Sequence, residues 1–158
     1  MGAKEHTCCF IGHRKIDITR ELINRLEETI KHLITEKKVD TFLFGSKSEF
    51  DILCLKVLTE LKKNYSHITR VYVRSEFAYI DDSYTEYILK TYDETYFPMK
   101  LINAGRAVYV ERNFEMIDKS AYCVFYYDKN YSQFKRKSGT KLAYDYATKK
   151  ALKIINLY

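Results

Sequence analysis

Four short segments carry the residues best suited to holding an anion. Gly12-His13-Arg14 follows the apolar run Thr7-Cys8-Cys9-Phe10-Ile11, and Gly45-Ser46-Lys47-Ser48-Glu49-Phe50-Asp51 follows Thr41-Phe42-Leu43-Phe44. Ser138-Gly139-Thr140 follows the aromatic run 121–127 after a polar stretch, and Arg112-Asn113 stands between these in sequence. An arginine at a strand end forks onto phosphate or carboxylate, and a histidine beside it titrates or stacks. Ser46 and Ser48 are hydroxyl donors, and Lys47 neutralises phosphate charge. Ser138 suits a helix N-cap, Gly139 lets a ligand reach the backbone, and Thr140 adds a hydroxyl. The free N–H groups and dipole of such a helix start favour phosphate. Each segment also has a plainer reading. Ser138 can be an ordinary cap, Gly12-His13-Arg14 a surface turn, and Ser48 with Asp51 a near capping box. Arg112 can pair at the surface with Glu111 or Glu115.

Glu49, Asp51 and Glu115 are the carboxylates that could act in catalysis, by stabilising an oxocarbenium-like centre or activating water. The spacing matches neither the phosphate loop G-x-x-x-x-G-K-[ST] nor the dinucleotide G-x-G-x-x-G. No Ser-His-Asp or Cys-His set, H-E-x-x-H pair or acidic metal loop is evident. Cys8, Cys9, Cys54 and Cys123 lie inside apolar stretches without C-x-x-C spacing, so they read as reduced core residues. The four histidines show no ligand spacing with them, so no metal is expected.

The elements that must position these residues alternate. Strands are expected at 7–11, 41–44, 68–73, 107–110, 121–127 and 153–157. Helices are expected at 18–37, 48–64, 83–95, 112–118 and 138–150, the first with Leu22, Ile23, Leu26, Ile30, Leu33 and Ile34 at helical spacing. Such alternation predicts an α/β fold: a mostly parallel sheet with helices on both faces, in one domain over residues 1–158. Strand ends that enter helices through small or charged residues then gather at the carboxyl edge of the sheet.

At 158 residues, with 46% hydrophobic and 30% charged, the chain suits one domain with a full core. It has no apolar run long enough to span a bilayer and no signal-peptide pattern at the amino terminus, which points to a cytoplasmic protein without membrane contact. The net charge of +6 favours anionic partners. Fifteen tyrosines and the basic segment Lys135-Arg136-Lys137, with Tyr131 and Phe134, keep single-stranded nucleic acid as a third reading.

Four segments, in order, resemble the YpsA-like branch of the SLOG superfamily. Cys8-Cys9-Phe10-Ile11-Gly12-His13-Arg14 is similar to its C-C-F-T-G-H-R signature. Gly45 to Asp51 occupies the place of a G-G-A-L-G-F-D loop and keeps Phe50-Asp51, with Ser46 and Glu49 where the branch has glycines. Arg112-Asn113, Met116-Ile117-Asp118 and Ser120 resemble R-N-x-x-M-V-D-x-S, and Ser138-Gly139-Thr140 resembles the S-G-G-T ending. The resemblance implies a Rossmann-like sheet binding a nucleotide or a ligand of the NAD or ADP-ribose type, as a bacterial sensor or regulatory domain. Site residues would be Gly12, His13, Arg14, Gly45, Ser46, Lys47, Arg112, Asn113, Ser138, Gly139 and Thr140. Broader relatives include cytokinin-activating phosphoribohydrolases and the single-strand-binding DprA proteins. The alternative is therefore a nucleotide N-glycosidase or deoxyribosyltransferase-like enzyme. The hydrolase motif P-G-G-x-G-T-x-x-E is only partly present: Leu142, Ala143 and Tyr144 follow Gly139-Thr140 where its glutamate is expected. A homo-oligomer stays open.

Overall fold

A computed structural model describes residues 2–131 and 138–158. Its strands are β1 (Thr7–Gly12), β2 (Thr41–Phe44), β3 (Thr69–Val73), β4 (Glu94–Tyr96), β5 (Tyr122–Tyr126) and β6 (Lys153–Asn156). Its α-helices are α1 (Arg20–Thr35), α2 (Glu49–Lys62), α3 (Asp82–Leu89), α4 (Val108–Asp118) and α5 (Gly139–Lys149). The six strands form one sheet in the order β4-β3-β2-β1-β5-β6, every pair parallel. This is the Rossmann-like α/β architecture expected from the alternation.

Successive residues of a strand face opposite sides of a sheet, so a strand covered on both faces must be apolar throughout. β1 shows this directly. Cys8 and Phe10 join Leu22, Leu26 and Ile30 of α1 and Phe50 and Leu58 of α2 in one core. Cys9 and Ile11 join Met116 and Ile117 of α4 and Ala143 and Ala147 of α5 in the other. The alanines let α5 lie close to the sheet. All four cysteines are buried and free.

The helix starts are locally encoded. Thr19, Ser48, Asp81 and Ser138 each cap a helix by accepting an N–H from three residues on, at Leu22, Asp51, Tyr84 and Lys141.

Two expected elements are corrected. The helix expected over 83–95 ends at Leu89, and the fourth strand lies at Glu94–Tyr96. The Asp93 carboxylate accepts from the Arg70 backbone N–H at 2.8 Å and from its Nε at 3.0 Å, which draws the chain alongside β3. The run Ala107 to Val110, expected as a strand, instead closes a short turn and opens α4. Arg112, Met116 and Ile117 are the buried residues of that helix, at helical spacing, and their packing overrides the strand propensity of Val-Tyr-Val.

The chain grows from β1 outward through β2, β3 and β4, then returns to the other side of β1 for β5 and β6. The carboxyl ends of β1 and β5 therefore flank the point where connections depart in opposite directions, the place where such sheets open a crevice.

Candidate functional site

A cavity of about 560 Å³ opens at this edge. It falls within the range of about 300–1,000 Å³ common for small-molecule sites. Gly12, His13 and Arg14 reach it from β1, Gly45, Ser46 and Lys47 from β2, and Asp51 from α2. Tyr72 and Ser75 come from β3 and its exit, Tyr109, Arg112 and Asn113 from α4, and Ser138, Gly139 and Thr140 from the start of α5. All eleven residues named as ligand contacts from the sequence thus line one cavity.

Close approach of the elements depends on two glycines. A Cβ on Gly12 would lie 2.4 Å from the Phe50 ring. A Cβ on Gly45 would lie 2.5 Å from Arg112 Cδ and 2.6 Å from both Arg112 Nε and Met116 Sδ. Glycine at position 45 therefore lets α4 set its arginine against the end of β2. Gly139 is the opposite case: it is exposed, and a Cβ there meets none of the described residues within 4 Å.

Arg112 is 4% exposed. Its Nη1 donates to the Gly45 carbonyl and, at 3.1 Å, to Ser75 Oγ, and its Nε donates to Asn113 Oδ1 at 3.2 Å. The guanidinium also lies 5.7 Å from the centre of the Tyr109 ring. Burial pulls its proton affinity down, and the Asp51 carboxylate opposes this. Asp51 is itself buried. Its Oδ2 accepts from Ser46 N–H at 2.9 Å and Gly45 N–H at 3.3 Å, and its Oδ1 accepts from Ser48 Oγ at 3.3 Å. Burial raises the pKa of this carboxyl above the ordinary value, against the Ser46 N–H and the Arg112 charge. Ser48 Oγ caps α2 by accepting the Asp51 N–H at 3.1 Å, as expected, but the Asp51 carboxylate shapes the β2–α2 turn through Gly45 and Ser46, and the Ser48 N–H goes to Ser46 Oγ instead of closing a capping box.

Arg14 and Lys47 are exposed at the cavity rim. Ser138 Oγ accepts the Lys141 N–H at 3.0 Å, whereas the N–H groups of Gly139 and Thr140 have no partner among the described residues. The start of α5 therefore lines the cavity with donors that no described residue uses.

Two of the three candidate catalytic carboxylates lie elsewhere. Glu49 does not line the cavity: its backbone N–H donates to the Arg14 carbonyl at 2.9 Å, and its Oε1 accepts from Ile16 N–H at 3.3 Å. It ties the loop after β1 to the start of α2. Glu115 faces away on α4, accepting from the Tyr96 hydroxyl at 3.1 Å, with Lys100 Nζ at 3.7 Å.

The sequence reading missed Tyr72, Ser75, Glu76 and Tyr109, and it weighed Tyr131 only for nucleic acid. Ser75 and Glu76 lie two and three residues beyond the end of β3, in the kind of exit that Gly45 and Ser46 form after β2, so the strand-end rule was the available signal. Tyr109 was hidden by reading its segment as a strand; on a helix it stands three residues before Arg112. Phe134 and Lys135-Arg136-Lys137 lie outside the described residues. Among the described residues, no group of three or more His, Cys, Asp or Glu is placed to hold a metal ion, and no helix is long and apolar enough to cross a membrane.

No protein-family model matches this chain, and no curated protein matches it.

Proposed function

We propose that the protein binds a nucleotide or nucleotide-derived ligand, of the AMP, NAD or ADP-ribose type, at the carboxyl edge of its sheet, as a sensor or regulatory domain. One observation carries this reading. Donors and cations from four separate strand-to-helix connections and from α4 meet in a single cavity, and the N–H groups of Gly139 and Thr140 at the exposed start of α5 have no partner among the described residues. N–H groups at a helix start and neighbouring guanidinium groups are the chemistry of phosphate recognition. The rings of Tyr72 and Tyr109 add aromatic surface suited to a base. The similarity of the four segments to the YpsA-like branch supports the same ligand class.

The glycosidase alternative has less support. Of its three carboxylates only Asp51 reaches the cavity, and both of its oxygens already accept hydrogen bonds from the β2–α2 turn.

Isothermal titration of the folded protein with NAD, ADP-ribose, AMP and a cyclic dinucleotide tests the proposal. Saturable binding of at least one, weakened by Arg112→Met, is the expected result. Absence of binding by all four overturns it.

A further inference from the structure

His13 is 2% exposed and lines the cavity. Its Nε2 accepts the backbone N–H of Asp128 at 2.9 Å, which requires a lone pair on Nε2 and leaves the proton of the neutral ring on Nδ1. Burial lowers the pKa of the imidazole, with Asp128 opposing, so the neutral form is the one that folding favours. Nδ1–H is consequently a donor, buried, with no acceptor among the described residues. The Tyr131 ring stacks on the imidazole with centroids 3.9 Å apart, and its buried hydroxyl also lacks a partner among the described residues. Both side chains line the same cavity as Gly139 and Thr140, whose N–H groups are unpaired in the same sense. Four donors lining one cavity without partners among the described residues call for a ligand rich in acceptors.

We propose that His13, held as the Nδ1–H tautomer by the Asp128 backbone, pairs with Tyr131 to donate to a phosphate oxygen of the ligand, so that the site selects nucleotides over the corresponding nucleosides. This rests on the nucleotide reading above. His13 is then a specificity-determining donor that acts without charge, and the Asp128 N–H is the group that positions it. Tyr131 contributes its hydroxyl and holds the plane of the imidazole by stacking.

The two ring nitrogens are separable by substitution. His13→Gln sets an amide near Nε2, keeping an acceptor for the Asp128 N–H and removing the donor at Nδ1. His13→Asn sets an amide near Nδ1 and keeps a donor there. Titrations use AMP, ADP-ribose and adenosine, with thermal melts to verify folding. The expected result is about a tenfold or greater loss of AMP and ADP-ribose affinity in His13→Gln, a smaller loss in His13→Asn, and unchanged adenosine affinity in both. Nitrogen-15 spectra of the wild-type imidazole give a readout that needs no variant: Nδ1 protonated, Nε2 not, and the Nδ1–H resonance shifting as AMP is added. A folded His13→Gln that binds AMP as the wild type does overturns this inference and leaves the nucleotide reading standing. So does an Nε2-protonated ring, or an adenosine affinity that falls in step with that of AMP. If neither AMP nor ADP-ribose binds the folded wild type, this inference fails together with that choice of ligand.

Discussion

Alanine at position 45 and alanine at position 139 should have opposite effects on stability and the same effect on binding. At Gly45 the added methyl would sit 2.5 Å from Arg112 Cδ and 2.6 Å from Met116 Sδ. Neither neighbour is free to swing away, since Met116 is 1% exposed and Arg112 is pinned by the Gly45 carbonyl and Ser75 Oγ. Overpacking of a filled interior costs about 1–3 kcal/mol. For a chain of this length each kcal/mol lowers Tm by roughly 2–4 °C. Gly45→Ala should therefore melt measurably below wild type, and ligand affinity should fall because Arg112 is displaced. At Gly139 a methyl meets none of the described residues within 4 Å, and the residue opens α5 without a positive φ. Alanine there should raise stability by roughly 0.4–1 kcal/mol, because the unfolded chain loses freedom. The same methyl projects into the space beside the Gly139 and Thr140 N–H groups, so affinity should drop. Scanning calorimetry and isothermal titration on both variants settle the matter. A Gly139→Ala protein that is more stable and binds as well as wild type would refute the placement of ligand at the start of α5.

Four further outcomes follow from the same geometry. Asp51→Asn keeps an oxygen for the Gly45 and Ser46 N–H groups and should fold nearly as well as wild type, whereas Asp51→Ala strands buried donors and should cost about 1–3 kcal/mol in urea denaturation; equal stability of the two would contradict the turn-building role. Because the folded Asp51 carboxyl titrates above the ordinary 3.8, its ionisation costs stability as pH rises through the interval above that value, and Asp51→Asn should remove this slope. His13 has the opposite sign: its folded pKa is lowered from 6.5, so the unfolded chain takes up a proton first and stability is lost as pH falls from there toward the folded value. His13→Gln should show a shallower loss in denaturation curves taken at several pH values; an unchanged slope would exclude His13 as the source. Glu49→Gln and Glu115→Gln should leave nucleotide affinity unaltered, and a marked loss in either titration would place a carboxylate at the ligand that the cavity does not contain.

The central strands could be read from sequence because burial on both faces leaves an unbroken apolar run, as in Cys8 to Ile11 and Phe42 to Phe44. Helix starts were equally plain where a capping residue precedes the periodic stretch, as at Ser48 and Ser138. The rule that strand ends converge then located the cavity without any contact information. The failures share one cause, which is that short peripheral elements take their form from what they touch. β4 is three residues long and exists through Arg70 and Asp93, a pairing across 23 positions that no local pattern announces. Val108-Tyr109-Val110 has strand composition and helical conformation because its downstream residues pack against the sheet. The division of carboxylates into one at the cavity and two away from it depended on helix rotation and loop path, which sequence spacing alone leaves open.

The adjacency of β1 and β5 imposes an order on assembly. β1 is synthesised about 110 residues ahead of β5, its partner on one side, which does not begin until Tyr122. At a synthesis rate of roughly 5–20 residues per second, that flank stays open for about 5–20 s. During that interval β1 through β4 can pair in turn, while one edge of β1 offers unmatched N–H and carbonyl groups to any passing strand. A chain cut short before β5 would thus end its sheet on β1 and carry a sticky margin there, and nascent copies of this protein should depend on chaperone cover until β5 emerges.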